Sequence, residues 1–397
     1  MELLSDKMNI IHSEIRGENY YTALDLEQRG EKVLKLNTGN PATFGFGMPD
    51  SVKSAIFENI GQTVGYCDPR GMFPARQAIT DYHISKGLKN ISVDDVFIGN
   101  GVSEIASIIA TVLLNEGDEI LMPMPCYSLW ANVAVLSSGV PLYYRCDENN
   151  GWNPDIEHIK SLITPKTKAI LIINPNNPTG VLYSDDILKE IAQIARQNNL
   201  IVLSDEIYDR LVFDEKKHVS FASLAPDVTV ITMNGLSKSH CICGFRCGWM
   251  ILTGEEKNKA ALRDAITKMV SIRLSANAIM QTIIPTAIKD TAYTENMIQK
   301  GGRLFEQRKA AFEALDKIDA LSYVKNDAAF YVFPKINRET INDKQFARNL
   351  LLEKKILVVP GSGFLQNDAS HFRIVLLPEP EVLKEAITQM GDFLNKL

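Results

Sequence analysis

The chain has 397 residues, 45% of them hydrophobic and 23% charged, with a formal net charge of −6. That length builds about two or three structural domains with sizeable cores, and the mild acidity gives no electrostatic case for nucleic acid or an anionic membrane as partner. No apolar run is long enough to cross a bilayer, the first seven residues lack a basic-then-apolar secretory pattern, and the six cysteines are expected as reduced thiols in the cytoplasm.

In chain order, residues 18–29 read as a helix, with Gly30 at its C-terminal cap position. A short strand at 33–36 runs into Asn37-Thr38-Gly39-Asn40-Pro41, a cluster of chain breakers read as a loop. A helix begins at Pro49-Asp50-Ser51, with Asp50 or Ser51 as cap. After the loop at 65–71 another helix ends near Gly87. Strands are then expected at 96–98, 119–122, 142–144, 169–173, 200–203, 228–232 and 247–252. Between them fall helices from Gly101 to Leu114 and at 127–136, 156–162 and 184–198. The 169–173 strand is apolar without alternation, as in a sheet covered on both faces. Strands alternating with helices over about 160 residues imply an α/β domain with a mostly parallel sheet.

Beyond Thr253 the pattern changes to long helical stretches at 255–291 and on to 317. Strands follow at 321–324, 329–333, 356–359 and 372–376, with helices at 343–354 and 381–397. This α+β pattern reads as a smaller second domain. The expected division is an arm at 1–48 that joins the small domain, a large cofactor-binding domain at 49–285, and a C-terminal small domain at 286–397.

Chemistry concentrates in a few stretches. Lys238 follows a turn of small residues in Gly235-Leu236-Ser237-Lys238, and Arg246 follows shortly in Gly244-Phe245-Arg246. A lysine held in such a turn can lose solvent, and its amine then attacks a carbonyl. The arginine offers a planar fork suited to phosphate. An aldehyde beside a phosphate describes pyridoxal 5'-phosphate (PLP), although on this stretch alone a solvated lysine and a plain arginine are the better reading. Asn174-Pro175-Asn176-Asn177-Pro178-Thr179-Gly180 stands at the end of an apolar strand, where α/β sheets bind ligands. An asparagine there can donate to a phenolate oxygen; a plain turn is the alternative. Asp205, after the next strand, is suited to a protonated pyridine nitrogen, and Tyr208 three residues on to the ring's 3'-oxygen. A helix cap is the alternative for Asp205.

Gly101-Val102-Ser103 opens a helix whose free amides form an anion site, the second half of a phosphate cup with Arg246. Tyr127 fits a stacking aromatic or a core residue equally well. Arg373 lies inside the apolar strand His371-Phe372-Arg373-Ile374-Val375-Leu376, where a substrate carboxylate or an internal salt bridge explains a charge. Cys241, Cys243 and Cys247 cluster beside His240, but their spacing matches no zinc site, so no metal is expected.

Together these residues resemble the class I/II aminotransferases, PLP enzymes of fold type I, over almost the whole chain. Within that family the likeness is to bacterial glutamate–pyruvate (alanine) aminotransferases. It is carried by Glu14-Ile15-Arg16-Gly17, Leu34-Lys35-Leu36-Asn37-Thr38-Gly39-Asn40-Pro41-Ala42, Phe44-Gly45-Phe46, Gly65-Tyr66-Cys67-Asp68, Asn100-Gly101-Val102-Ser103-Glu104 and Phe372-Arg373-Ile374-Val375. The resemblance implies Lys238 as Schiff-base lysine, Asp205 as partner of the pyridine nitrogen, Asn177 and Tyr208 as ligands of the 3'-oxygen, and Tyr127 as the stacking ring. It implies Val102, Ser103 and Arg246 at the phosphate, and Arg373 at the α-carboxylate. Ser237, beside the lysine, joins the cofactor-binding set, Asn177 also contacts substrate, and the backbone of Gly39 lies near the substrate carboxylate. Tyr66 reaches the neighbouring subunit's phosphate, which implies a homodimer with shared sites. Ser13 stands where the family has tyrosine, and Ser239-His240-Cys241-Ile242-Cys243 replaces its usual Thr-Tyr-Arg-Val-Ala.

The expected activity is transamination between L-alanine and 2-oxoglutarate. Arg16 is the candidate for glutamate's distal carboxylate, with Arg273 as the competing cation. Aromatic, branched-chain or aspartate transamination and a C–S β-lyase are the rival activities. A PLP-fold effector domain of a transcription regulator is a rival of another class.

Overall fold

The computed structural model describes residues 3–396 other than His12 and Glu339. At its centre lies an eight-stranded sheet. Its strands are β1 (Val96–Asn100), β2 (Glu119–Met124), β3 (Val140–Asp147), β4 (Asn153–Pro154), β5 (Thr167–Ile173), β6 (Ile201–Asp205), β7 (Val230–Gly235) and β8 (Cys247–Thr253). The spatial order is β1-β8-β7-β6-β5-β2-β3-β4. Neighbours from β7 through β3 pair in parallel, whereas β8 runs against both β1 and β7, and the short β4 against β3.

The unbroken apolar run of β5 follows from two covered faces, since successive residues of a strand point to opposite sides. Ile170 and Ile172 enter one core with the helices Phe73–Ser85, Asp185–Gln197 and Ile284–Lys289. Ala169, Leu171 and Ile173 enter the opposite core with Val102–Leu113 and Glu256–Ile272. The fold is therefore the α/β class expected, a mostly parallel sheet between helical layers.

A further core gathers Leu36 and Phe46 with residues from Met297 to Leu394, and takes in Tyr208, Leu211, Phe213 and Cys241 from the segments after β6 and β7. Here Leu34–Lys35 pairs in parallel with Ile356–Leu357, which fastens the N-terminal segment to the C-terminal one. Tyr331–Val332 and Val359–Pro360 flank Phe372–Val375, both antiparallel to it. On this packing we keep the division at residues 48 and 285 as a proposal, with the helix Ile284–Lys289 lying across the second limit.

Several element limits differ from expectation. The helix expected from Tyr127 starts at Leu129, which leaves Tyr127 in the turn after β2, and the expected helical stretch 255–291 breaks into Glu256–Ile272, Ala278–Thr282 and Ile284–Lys289. The helix Asp50–Asn59 has Pro49 at its cap position and no side-chain cap; the Ser51 hydroxyl donates instead to Asp290 at 2.5 Å. The last helix is Pro380–Leu394, and its expected final residue Leu397 lies outside the described residues.

Candidate active site

The carboxyl ends of the parallel strands open on a cleft of about 630 Å³ that is also lined by Gly39, Tyr331 and Arg373. Of the residues singled out in the sequence, Arg16, Gly39, Val102, Ser103, Tyr127, Asn177, Asp205, Tyr208, Ser237, Lys238, Arg246 and Arg373 all line it. Those from Val102 to Lys238 meet there because a parallel sheet sends the ends of β1, β2, β5, β6 and β7 to one edge, while Arg16 and Gly39 come from the N-terminal segment and Arg373 from the strand Phe372–Val375. Arg246 reaches the same edge for the opposite reason. It precedes β8, whose reversed direction sets Cys247 opposite Asn100, and Gly248 opposite both Gly99 and Gly235.

That rim is tight enough to dictate glycines. A Cβ on Gly248 would lie 2.6 Å from the Val102 amide nitrogen, and one on Gly101, where φ is +83°, would collide with the Arg246 guanidinium. The backbone amides opening the helix Val102–Leu113 thus sit beside a cation, the chemistry of an anion cradle. Arg246, itself at φ +58°, donates from Nη1 to the Cys243 carbonyl at 2.9 Å. Glu104 closes the turn by accepting from the Asn100 amide at 2.7 Å.

Asp205, the last residue of β6, is 6% exposed. The Trp130 indole donates to its Oδ2 at 3.2 Å and the Ile207 amide to its Oδ1 at 3.2 Å. Burial still pushes its carboxyl up to about 6, against the pull of the Ile207 amide, Trp130 and the Lys238 charge. A cation placed beside it would reverse that displacement. Lys238 is half-buried in the turn after β7, and its Nζ donates to the Gly39 carbonyl at 2.9 Å.

Tyr208 is buried, with its hydroxyl 2.8 Å from that of Tyr331. Burial and the neighbouring Tyr331 hold its phenol well above the ordinary range. Arg373 is only 1% exposed. Its Nη1 donates to Asn177 Oδ1 at 2.9 Å and its Nη2 to the Asn37 carbonyl, while its Nε has no partner. The Tyr331 and Phe364 rings flank the guanidinium, with centroids 4.5 and 4.7 Å from Cζ. Burial lowers its pKa, and the ionisable groups acting on it are tyrosine hydroxyls rather than a carboxylate. The internal salt bridge weighed from the sequence is therefore not formed among the described residues.

Two expected residues stand apart from the cleft. Tyr66 is 81% exposed on its loop. Arg273 is engaged elsewhere, its Nη2 donating to the Ile98 carbonyl at 2.7 Å and its Nε lying 3.3 Å from Glu104 Oε1. The thiols scatter: Cys241 donates towards the Lys238 carbonyl, Cys243 to Asn40 Oδ1 at 3.2 Å, and Cys247 to the Met280 carbonyl at 3.0 Å. Among the described residues no group of three His, Cys, Asp or Glu side chains could hold a metal. Sequence reasoning missed Trp130 and Tyr331 because each reads as a core aromatic of its own element. Their partners are distant in sequence.

The chain belongs to the aminotransferase class I and II family, whose pattern it matches over residues 31–390. It is 46% identical to the glutamate-pyruvate aminotransferase AlaA of Haemophilus influenzae over 394 residues, 98% of each chain. The crystal structure of an aminotransferase from Escherichia coli superposes with a TM-score of 0.97 at 43% identity, covering 100% of this chain and 98% of that one. The alanine aminotransferase of Pyrococcus furiosus superposes at 0.95 with 37% identity, covering 99% and 100%.

Proposed function

We propose that this chain is a PLP-dependent alanine aminotransferase that moves an amino group between L-alanine and 2-oxoglutarate in two half-reactions at one site. The observation that carries the reading is the buried Arg373 guanidinium, unmatched at Nε, facing the same cleft as Lys238 and Asp205. The names of the full-length relatives from Haemophilus influenzae and Pyrococcus furiosus support the choice of alanine and glutamate.

The residues fit the cofactor. The Val102 and Ser103 amides with Arg246 suit a dianionic phosphate. Asp205, whose carboxyl burial pushes up, suits a protonated ring nitrogen. Asn177 and Tyr208 suit the 3'-oxygen and Tyr127 the ring face, with Ser237 beside the lysine. PLP, when bound, supplies an aldehyde that bonds an amine and a ring that accepts electrons from the substrate Cα.

The protein's own work is positioning and proton transfer. Arg373 binds the substrate α-carboxylate in a dry pocket, beside Asn177 and the Gly39 backbone, and so fixes where Cα falls. Lys238 Nζ takes and returns a proton at that carbon as general base and acid. The Gly39 carbonyl, which accepts from Nζ, steers the amine. Arg16, exposed at the cleft rim, meets glutamate's second carboxylate.

The working unit in this reading is a cytoplasmic homodimer, with Tyr66 serving the partner's phosphate. The exposure of Val64, two residues from Tyr66, and of Phe57 on the preceding helix Asp50–Asn59 supports this segment as a contact. Purified protein assayed with a panel of amino donors against pyruvate and 2-oxoglutarate tests the function. Alanine with 2-oxoglutarate, and glutamate with pyruvate, should be the fastest pairs. Preference for aromatic, branched-chain or aspartate donors refutes the substrate choice, and pyruvate with ammonia released without an oxo-acid acceptor marks a C–S β-lyase instead.

A further inference from the structure

Tyr331 touches more of the cleft's working groups than its strand position suggests. Its hydroxyl lies 2.8 Å from Tyr208 Oη, and the two rings meet edge to face with centroids 5.6 Å apart. The face of its ring covers Arg373 at 4.5 Å. On the other side a Cβ on Gly39 would collide with the Tyr331 hydroxyl and come within 2.9 Å of the Phe330 ring.

Proton counting gives the pair a direction. Each phenol carries one O–H, so only one proton lies between the two oxygens, and the group that donates it has none left for another acceptor. If Tyr208 donates to Tyr331, it meets any ligand in the cleft solely as an acceptor. If Tyr331 donates, the Tyr208 proton is free to point into the cleft. An anionic oxygen in the cleft favours the second arrangement, because a hydrogen bond to a charged acceptor is roughly twice as strong as one between neutral phenols.

We infer that Tyr331 is a positioning residue whose hydroxyl donates to Tyr208 Oη, aiming the Tyr208 proton at the cofactor's 3'-oxygen, and that residue 39 is glycine to leave room for that hydroxyl. The last step rests on the PLP reading of the cleft. A hydrogen-bond chain polarises its members, so donation from Tyr331 makes Tyr208 the stronger donor. A stronger donor stabilises negative charge on the 3'-oxygen and lowers the proton affinity of the adjoining nitrogen linkage on Lys238.

Tyr331→Phe in the holoenzyme removes the hydroxyl and keeps the ring over Arg373. The pH midpoint of the visible absorbance of the Lys238 linkage should rise by about half a unit, roughly a threefold gain in proton affinity. The kcat should fall while KM for alanine and 2-oxoglutarate stays within about twofold, because the carboxylate clamp is intact. In a Tyr208→Phe background the same substitution should leave the midpoint where Tyr208→Phe alone puts it. An unchanged or lowered midpoint, or an equal shift in both backgrounds, overturns the inference. Should Tyr331→Phe fail to fold, Gly39→Ala, which displaces the same hydroxyl, must raise the midpoint in the wild type and leave it unmoved in the Tyr208→Phe background, which separates this effect from any change at the Gly39 carbonyl that accepts from Lys238. A wild-type enzyme without any such band refutes the PLP reading instead. The pair is then read in the cofactor-free protein, where the two Phe substitutions should change Tm non-additively and additivity counts against the bond.

Discussion

In the proposed reading, discrimination between glutamate and alanine turns on Arg16 at the cleft rim, and Arg16→Met isolates it. With Arg373 assigned in that reading to the carboxylate both substrates share, the distal carboxylate of glutamate needs a second cation. Two unit charges about 4 Å apart gain about 1 kcal/mol in water and about 4 kcal/mol at an effective dielectric of 20. Arg16 is exposed at the rim, so solvent screens it, and exposed pairs measure about 0.2–1 kcal/mol. A cleft that partly covers the pair in the complex raises this to about 1–2 kcal/mol. At about 1.4 kcal/mol per decade, that is a loss of roughly 5- to 30-fold in kcat/KM for glutamate and 2-oxoglutarate. Alanine and pyruvate, which lack the distal group, should stay within about twofold. Single-turnover half-reactions followed by absorbance separate the substrates. Equal losses for glutamate and alanine would refute the assignment. Arg273→Met, by contrast, should leave the ratio unchanged, since that guanidinium is committed to Glu104 and the Ile98 carbonyl.

Borohydride treatment of the holoenzyme should fix the cofactor on Lys238, and Lys238→Ala should abolish turnover; mass mapping of the adduct to another lysine would sink that role. Arg373→Met should lower kcat/KM for alanine and glutamate alike, by about 2–5 kcal/mol or roughly thirty- to several-thousand-fold, because the clamp is desolvated; a loss confined to one substrate would contradict the α-carboxylate role. Asp205 carries a pH signature in the cofactor-free protein. Its folded pKa of about 6 lies above the unfolded value, so its stabilising effect is present below about pH 4 and fades as pH rises through 6. Relative to Asp205→Asn, cofactor-free wild type should therefore lose up to about 3 kcal/mol between pH 4 and 7 in urea unfolding; a constant difference would refute the raised carboxyl. Elemental analysis should find no stoichiometric metal, and one zinc per chain lost on mutating Cys241, Cys243 and Cys247 would overturn that expectation.

The sequence by itself determined the local chemistry and the class of fold. The apolar run of β5 required a sheet covered on both faces, and breaker-rich stretches after apolar strands placed Asn177, Asp205 and Lys238 at strand ends. The order of those stretches carried the family resemblance. Pairings between distant segments were out of its reach, because periodicity reports what a residue's own element does and not what crosses it. Nothing near Trp130 announces that its indole donates to Asp205 from 75 positions away. Nothing near Tyr331 announces Tyr208, 123 positions away, or the space at Gly39. The sequence favoured Arg16 and left Arg273 as its competitor; only the packing put the first at the cleft rim and tied the second to Glu104. Arg373 posed the same limit in sharper form. A charge in an apolar strand demands a partner, and tertiary structure alone could decide that two amide oxygens and two aromatic faces surround it, leaving Nε unmatched.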